Sequence, residues 1–440
     1  MQKSRFQSIR RLSLPIVGGQ ISQNVLNLVD LAMVGTLGSV ALAAVGIASF
    51  AHFVAGAAVM GLSSGVQAMA ARRLGEGRSS EAAVPLNGGL FLSCVIALPL
   101  SLVLIVTADR YFPLLNDDPA VVVEAIPYLQ ARLAAVFALG MNFSFRGYWN
   151  GVNRSHVYLR TLIVMHTINI VLNYLLIYGN FGFPELGVFG AGLASAIATV
   201  LGTVYYAAQA NNYARENGFL ARLPRGETMV TMLRLSLPAS IQLFFFSVGF
   251  SLFLWIVGLV GTRELAAASV LLNVTLVMIL PGNGLGLTAA SLVGQALGRG
   301  DPADARQWGW DVVKIAVGVM GSIGLLLALF PEFVLSGFIH ERATLELAVA
   351  PLRLTGLTIV GDAIGIVLLN ALLGAGAARQ VMVVSIFCQW LIGLPAAWLL
   401  GPYLGLGLTW LWASFIGYRL IQAVIFTILW QGHRWTTIKV

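Results

Sequence analysis

This chain of 440 residues is 58% hydrophobic and only 10% charged, whereas an ordinary soluble domain carries roughly 25% charged residues. Its mean hydropathy of +0.85 leaves too little polar surface to cover a water-soluble core of this size, so a soluble globular protein is excluded. The net charge of +8 does not indicate nucleic-acid binding, because basic loops facing anionic lipid headgroups account for it.

Apolar segments of about 20 residues, each long enough to cross a hydrocarbon layer of roughly 30 Å as a helix, recur along the chain. In the first half we predict spans at 12–37, 43–71, 85–108, 125–150, 157–179 and 187–210. In the second half we predict spans at 232–260, 264–292, 308–330, 345–373, 380–400 and 404–430. Basic residues precede the first run as in a cleavable signal peptide, but that run is too long and eleven more follow it. The sequence therefore predicts an all-α membrane protein with about twelve transmembrane helices.

The 26 lysines and arginines indicate the orientation, because basic residues accumulate in cytoplasmic loops. With both termini in the cytoplasm, nineteen of them fall in inner segments, and only Arg110, Arg263 and Arg342 fall in outer loops. We therefore expect a multi-pass protein of the cell inner (cytoplasmic) membrane with both termini cytoplasmic.

An internal repeat divides the chain into two halves. The segment Leu12-Ser13-Leu14-Pro15 recurs as Leu235-Ser236-Leu237-Pro238, 223 residues later. Glycines keep this offset in the pairs Gly35/Gly258, Gly38/Gly261, Gly61/Gly284, Gly75/Gly298 and Gly77/Gly300. Gly151 and Gly374 also keep this offset, but elsewhere the register drifts, with Pro127 opposite Pro351 and Gly190-Ala-Gly192 opposite Gly405-Leu-Gly407, as changes of loop length between repeats would produce.

The repeat predicts two homologous six-helix lobes, residues 1–210 and 232–440, around a central cleft. Six spans per repeat means that both lobes enter the membrane in the same sense and are related by an axis along the membrane normal, so we expect the substrate path between them. The polar stretch 211–231 is interpreted as a plain cytoplasmic linker.

Two carboxylates, Asp30 and Asp362, lie well inside predicted spans, where charges are costly and usually functional. The repeat places Phe253 opposite Asp30 and Ala138 opposite Asp362. A structural need shared by both lobes would require a carboxylate at both equivalent positions, and neither pair has one. Asp30 is the leading candidate for ion or proton coupling, and Asp362 is a second candidate site.

A polar cluster is predicted around Asp30. This residue lies five positions before Gly35, and thus roughly 8 Å below the outer end of its helix at 1.5 Å per residue. Asn173 lies six residues before Gly179 on a span that runs in the same direction, at nearly the same depth. Asn169 and His166 precede Asn173 on one helix face. We therefore expect a carboxylate, two amides and an adjoining imidazole in the outer half of the N-terminal lobe.

Other polar residues in the spans point to no enzymatic chemistry. No nucleotide-binding P-loop and no metalloprotease motif is present. Cys94 and Cys388 lie in apolar spans and supply neither a disulfide framework nor a metal cluster. Four arginines also fall within spans, and we expect them to reach an interface or to pair across helices. They are Arg132, Arg146, Arg353 and Arg419.

Several stretches carry a family resemblance. The residues Leu14-Pro15, Asn27, Asp30, Met33-Val34-Gly35 and Leu42-Ala43-Ala44 resemble the opening of the multidrug and toxic compound extrusion (MATE) family, particularly its DinF-like branch. The string from Asn169 to Gly179, followed by Gly190-Ala-Gly192 through Thr199, resembles that family's fifth and sixth spans. With the two six-span halves, the likeness covers essentially the whole chain.

The resemblance implies antiport of amphipathic, often cationic, organic compounds out of the cell against an inward flow of H⁺ or Na⁺, with no bound cofactor. Asp30 matches the coupling aspartate of the DinF-like branch, and Asn169 and Thr199 match polar residues of its ion site. Asn173 stands where relatives often carry a second carboxylate, which argues against a tight Na⁺ site at these residues and favours protons. Phe246 replaces a glutamate of the branch with a C-lobe ion site, whereas Asp362 matches an aspartate of that branch.

Two rival functions agree less well with the sequence. A lipid-linked sugar flippase of the same wider superfamily would need basic residues in the central cavity for lipid phosphates, whereas Asp30 and Asp362 favour cationic compounds. A membrane enzyme would need a cluster of catalytic side chains, and the five histidines are too scattered to provide one. The expected partners are small organic substrates and membrane lipids, without nucleic acid, and the expected state is a monomer.

Overall fold

The structure is a computed structural model that describes residues 3–440, and this part of the chain contains helices and no strand. Helices satisfy their own backbone hydrogen bonds, which lipid cannot do for them. The first half forms α1 Lys3–Gly35, α2 Ser39–Met60, α3 Leu62–Gly75, α4 Val84–Val106, α5 Ala108–Tyr111, α6 Pro119–Leu133, α7 Val136–Gly151, α8 Ser155–Tyr178 and α9 Gly187–Tyr213. The second half forms α10 Gly226–Val260, α11 Thr262–Gly298, α12 Pro302–Leu329, α13 Pro331–Ser336, α14 Arg342–Ala375, α15 Ala378–Ile386, α16 Leu394–Trp398 and α17 Gly407–Gln431.

Ten helical segments of the described chain are long and apolar enough to cross a membrane. The bent pair α6 and α7, which meet at 49°, makes an eleventh if it counts as one span. The chain is therefore a multi-pass membrane protein, as predicted. The predicted first span is present as the continuous helix α1 but is too polar to be counted, because its second half carries Gln20, Gln23, Asn24, Asn27 and Asp30.

Several helix ends follow from local sequence. Pro302 stands at the first position of α12, where its missing N–H costs nothing, and the Asp301 side chain accepts a hydrogen bond of 2.8 Å from the Asp304 amide. Gly179 ends α8 with φ of 68°, in the left-handed region that glycine adopts without a Cβ clash. The end of α8 at Tyr178 agrees with the limit predicted for the fifth span.

The described chain divides into two compact units. The N-unit is Gly18–Ile241, and the C-unit is Gln242–Val440 together with Lys3–Val17. These limits differ from those of the predicted lobes, because the first half of α1 packs with the second half of the chain and the first half of α10 packs with the first. The predicted lobe limits rest on the sequence repeat and stay a prediction.

Each unit contains a close helix contact at an equivalent position of the repeat. In the N-unit, a Cβ on Gly151 would meet the carbonyl oxygen of Gln67. In the C-unit, a Cβ on Gly374 would meet the carbonyl of Ala290, which stands 223 residues after Gln67. Such approaches are open only to glycine. The glycines paired in the sequence thus make the same kind of helix contact in both halves.

The start of α1 is anchored within the C-unit by Arg5. Its guanidinium forms ion pairs with Asp304 at 2.5 Å and with the buried Asp311 at 2.6 Å. It also stacks over the ring of Trp308, 3.7 Å from the ring centroid. These three residues all lie on α12. Helix α1 is described from Lys3, nine residues before the predicted start of the first span.

The segment after α9, for which the sequence predicts a cytoplasmic linker, is anchored to the N-unit. The buried Asn87 on α4 donates hydrogen bonds of 2.9 and 2.8 Å to the carbonyls of Gly218 and Arg222. Its own carbonyl accepts a hydrogen bond of 2.9 Å from the Leu220 amide. Arg222 also pairs with Glu81 at 2.6 Å. Hydrogen bonds and an ion pair therefore hold part of this polar segment against the N-unit.

Candidate functional site

The structure brings Asp30 and Asn173 together, as their equal depth on two helices predicted. Asn173 Nδ2 donates a hydrogen bond of 2.6 Å to Asp30 Oδ1. Asp30 is half-buried on α1, whereas Asn173 on α8 is completely buried. A carboxylate on α1 is thus held directly by a buried amide of the neighbouring helix α8.

Asn169 extends this contact away from Asp30. Asn173 Nδ2 also donates to Asn169 Oδ1 at 3.2 Å, and Asn169 Nδ2 donates to Ser195 Oγ on α9 at 3.1 Å. Asn169 is 2% exposed. The sequence places Asn169 and Asn173 four residues apart, and this spacing aligns them on one face of α8. A continuous chain of hydrogen bonds therefore runs from Asp30 on α1 through α8 to α9.

The orientation of the Asn173 amide leaves one polar atom without a partner. Both neighbouring oxygens, Asp30 Oδ1 and Asn169 Oδ1, are acceptors, so the nitrogen of Asn173 must face them. Asn173 Oδ1 is then buried with no hydrogen-bond donor among the described residues. A buried oxygen without a donor is costly. It is a ready acceptor for a proton donor or a cation beside Asp30.

Thr199 lies one step farther from the carboxylate than the resemblance implied. Its hydroxyl donates to the Ser195 carbonyl of its own helix at 2.7 Å, and its carbonyl accepts from Asn142 Nδ2 at 3.0 Å. Asn142 in turn accepts from the Thr203 hydroxyl at 2.9 Å. Thr199 thus joins the network through the backbone of α9 rather than by a hydrogen bond to Asp30.

His166 is buried one turn before Asn169 but bonds elsewhere. Its Nδ1 lies 2.8 Å from Ser22 Oγ, and its Nε2 lies 3.3 Å from Gln23 Oε1. Gln23 also donates to Asn27 Oδ1 at 3.1 Å. The imidazole therefore forms a second polar contact between α8 and α1, beside the Asp30 cluster and without a direct bond to it.

Asp362, the second candidate carboxylate, lies in the C-unit and is neutralised there. Arg419 Nε on α17 donates to Asp362 Oδ1 on α14 at 2.7 Å, and both side chains are only 13–14% exposed. The sequence predicted that the intramembrane arginines would reach an interface or pair across helices, and Arg419 pairs across helices. Asp30 differs, because no ion pair joins it to any described residue, although the positive charge of Arg132 acts on it.

Sequence reasoning missed Ser195, Asn142 and Thr203 as members of the network. A signal for two of them is present, because Ser195, Thr199 and Thr203 follow each other at four-residue intervals on α9 and therefore line one face. Small hydroxyl residues in membrane helices commonly bond their own backbone, so the pattern indicates a polar face without naming its partner.

The donor set of the cluster suits a proton or a weakly held monovalent cation. It offers one carboxylate at Asp30 and amide oxygens at Asn173 and Asn169. Among the described residues no group of three or more His, Cys, Asp or Glu side chains is placed to hold a metal ion. A divalent transition metal would call for softer or more numerous ligands.

Comparison with known proteins identifies related chains. Residues 15–175 and 238–399 match the MatE family, in two segments that start at Pro15 and Pro238 of the repeat. A probable multidrug resistance protein NorM of Bradyrhizobium diazoefficiens is 30% identical over 421 residues, covering 93% of this chain and 90% of the relative. A protein of the same description from Synechococcus is 29% identical over 422 residues, with the same coverage.

Solved structures share the fold. An outward-facing multidrug resistance MATE family transporter of the MOP superfamily superposes with a TM-score of 0.90 at 22% identity, covering 99% of this chain and 97% of the other. A MOP superfamily transporter from Pyrococcus furiosus superposes with a TM-score of 0.89 at 22% identity, covering 97% and 95%. At this level of identity the likeness concerns the fold.

Proposed function

Because the chain belongs to the MatE family, we propose that it is a secondary active transporter that exports amphipathic, often cationic, organic compounds in exchange for protons. The relatives described as multidrug resistance proteins support the export of such compounds. The observation that carries the coupling is the Asp30–Asn173 contact, with the unpartnered Asn173 Oδ1 beside it.

The chemistry of coupling follows from what protonation does to Asp30. The ionised carboxyl accepts the Asn173 amide. The protonated carboxyl has lost its charge and gained a hydroxyl donor. Rotation of the Asn173 amide by half a turn would bring its free oxygen to that hydroxyl, and the Asn169 amide would have to rotate with it so that its nitrogen, not its oxygen, faces Asn173. The two protonation states thus favour two arrangements of α1 against α8.

Substrate and proton compete through this equilibrium. A cationic compound is attracted by the ionised carboxylate and loses that attraction when Asp30 is protonated. Because each ligand favours a different charge state, binding of one disfavours the other without direct contact. Pro15 and the Gly18-Gly19 pair are points in α1 at which the helix can bend in response.

The proposal is tested in proteoliposomes that contain the purified protein and ethidium as a cationic dye. A pH gradient alone should drive movement of ethidium across the membrane, and the gradient should discharge faster when ethidium is present. Ethidium movement that is independent of the pH gradient, with added proton carrier as a control, would contradict proton antiport.

The single carboxylate of the cluster predicts protons rather than Na⁺ as the coupling ion. We expect ethidium export to be unchanged when Na⁺ is replaced by choline, because one carboxylate and amide oxygens hold Na⁺ weakly. The Asn173→Asp variant places a second carboxylate beside Asp30. Ethidium export by this variant should be stimulated by a Na⁺ gradient. Asn27→Asp, which adds a carboxylate at an exposed position of α1, is the matched control. Loss of wild-type export in choline would refute the prediction.

We further propose that the protein lies in the inner membrane with both termini in the cytoplasm, on the strength of the basic residues counted in inner segments. Alkaline phosphatase, which is active only outside the cytoplasm, should be inactive when fused after Val440. The same enzyme fused after His340, in the loop between α13 and α14, should be active. The reverse pattern of activity would show that the orientation in the membrane is opposite to the proposed one.

A further inference from the structure

Arg146 is a cation on α7, in the bent helix pair that can form one membrane span, and none of the described residues forms an ion pair with it. It lies five residues before the last residue of α7 and is partly exposed. Ion pairs within the described chain join Arg5 to Asp304 and Asp311, and Arg419 to Asp362, but none involves Arg146. An unpaired charge at this depth is expensive and calls for a functional account.

The fold fixes the position of this guanidinium. The neighbouring Gly147 allows α7 to approach α3 so closely that a Cβ there would meet the carbonyl of Ser63. Arg146 Nε then donates to Ser63 Oγ at 3.2 Å, and its guanidinium lies 4.2 Å from the ring centroid of Phe143. The side chain is therefore held in place by two helices rather than extended toward the membrane surface.

Among the described residues, hydroxyl groups rather than carboxylates lie around Arg146. The Tyr158 hydroxyl on α8 and the Tyr206 hydroxyl on α9 also lie close to the guanidinium. The Tyr158 ring occupies the space left by Gly19, where a Cβ would clash with it. A guanidinium carries five N–H donors in a planar fork that matches the two oxygens of a carboxylate. Hydroxyls do not neutralise it.

Arg146 and the hydroxyl groups around it lie at the opposite end of the N-unit helices from Asp30. Tyr158 and Asn173 are fifteen residues apart on α8, which corresponds to roughly 22 Å along the helix. By the proposed orientation, Arg146 is near the cytoplasmic side and Asp30 near the outer side. A compound that enters from the cytoplasm therefore reaches Arg146 before it reaches Asp30.

We propose that Arg146, with the hydroxyls of Ser63 and Tyr158, forms an oxyanion subsite that binds the carboxylate of zwitterionic transport substrates. The flanking rings of Phe143 and Tyr158 favour an aromatic carboxylate over a lipid phosphate. That the bound compound is a transport substrate rests on the proposed export function. Binding of the carboxylate at Arg146 does not depend on transport. It extends the range of compounds from simple cations to those that also carry an anionic group.

The test compares two fluorescent dyes that differ only at the carboxylate. Rhodamine 110 is a zwitterion with a free carboxylate, and rhodamine 123 is its methyl ester and a simple cation. Fluorescence anisotropy with the purified full-length protein measures both dissociation constants. We expect Arg146→Gln to weaken rhodamine 110 binding at least about tenfold, the scale of one charge-assisted hydrogen bond, and to change rhodamine 123 binding less than twofold. Tyr158→Phe should weaken rhodamine 110 selectively but less.

Controls separate this subsite from a structural role. Retained rhodamine 123 binding shows that Arg146→Gln is folded, and Arg353→Gln, which removes an exposed arginine of α14, should alter neither dye. Equal weakening of both dyes by Arg146→Gln, or no weakening, overturns the proposal. Binding that requires phosphatidylglycerol in wild type but not in Arg146→Gln assigns the site to a lipid headgroup and also overturns it. If the wild-type protein binds both dyes but exports neither, the carboxylate subsite stands and the proposed export function is contradicted.

Discussion

Replacing Asp30 by asparagine is expected to abolish export driven by a pH gradient while the protein still folds and reaches the membrane. Asparagine has nearly the same shape as aspartate but cannot take up or release a proton. The contact with Asn173 at 2.6 Å is retained in the variant as an amide–amide hydrogen bond. The equilibrium between the two arrangements of α1 and α8 then no longer depends on pH. Ethidium export from proteoliposomes should fall to the level of vesicles without protein.

The matched control for this loss is Asp362→Asn, which changes the same kind of residue in the other unit. Asp362 is already neutralised by Arg419, so we expect its replacement to reduce stability more than proton coupling, and to harm export less than Asp30→Asn does. Binding of ethidium to purified Asp30→Asn, measured by fluorescence, separates a coupling defect from misfolding. Full pH-driven export by Asp30→Asn would remove Asp30 from the mechanism and direct attention to Asp362.

Removing Arg419 is expected to have the largest effect on stability. Arg419 and Asp362 pair at 2.7 Å with both side chains largely buried, and the loss of one member leaves the other charge without compensation. Breaking a buried pair in this way costs about 3–5 kcal/mol. The Arg419→Gln variant should therefore unfold at a clearly lower temperature in detergent than the wild type does.

The double variant Arg419→Gln, Asp362→Asn tests whether the charge imbalance is the cause. Because both charges are absent, most of the lost thermal stability should return. If the double variant also keeps pH-driven ethidium export, Asp362 is excluded as the coupling residue by a measurement that does not rely on Asp30. A double variant no more stable than Arg419→Gln alone would mean that the guanidinium acts by packing against Phe415, over whose ring it lies.

The amino-acid sequence by itself determined the class of protein, most of the helices and the central contact of the candidate site. Apolar length decides whether a segment can cross a bilayer, and the rise per residue is nearly constant in a helix. Depth can therefore be read by counting residues, and this counting placed Asp30 opposite Asn173. The four-residue spacing from Asn169 to Asn173 needed only the geometry of one helix.

Tertiary structure alone decided which helix faces which. Nothing in the sequence near Asp362 names Arg419 as its partner, or assigns Lys3–Val17 to the C-unit. It was likewise the packing of four helices that left Arg146 among hydroxyl groups and Asn173 Oδ1 without a donor. Neighbouring helices in a membrane are selected by the fit of small side chains and interhelical hydrogen bonds rather than by hydrophobicity, because lipid is as apolar as the helix surfaces themselves.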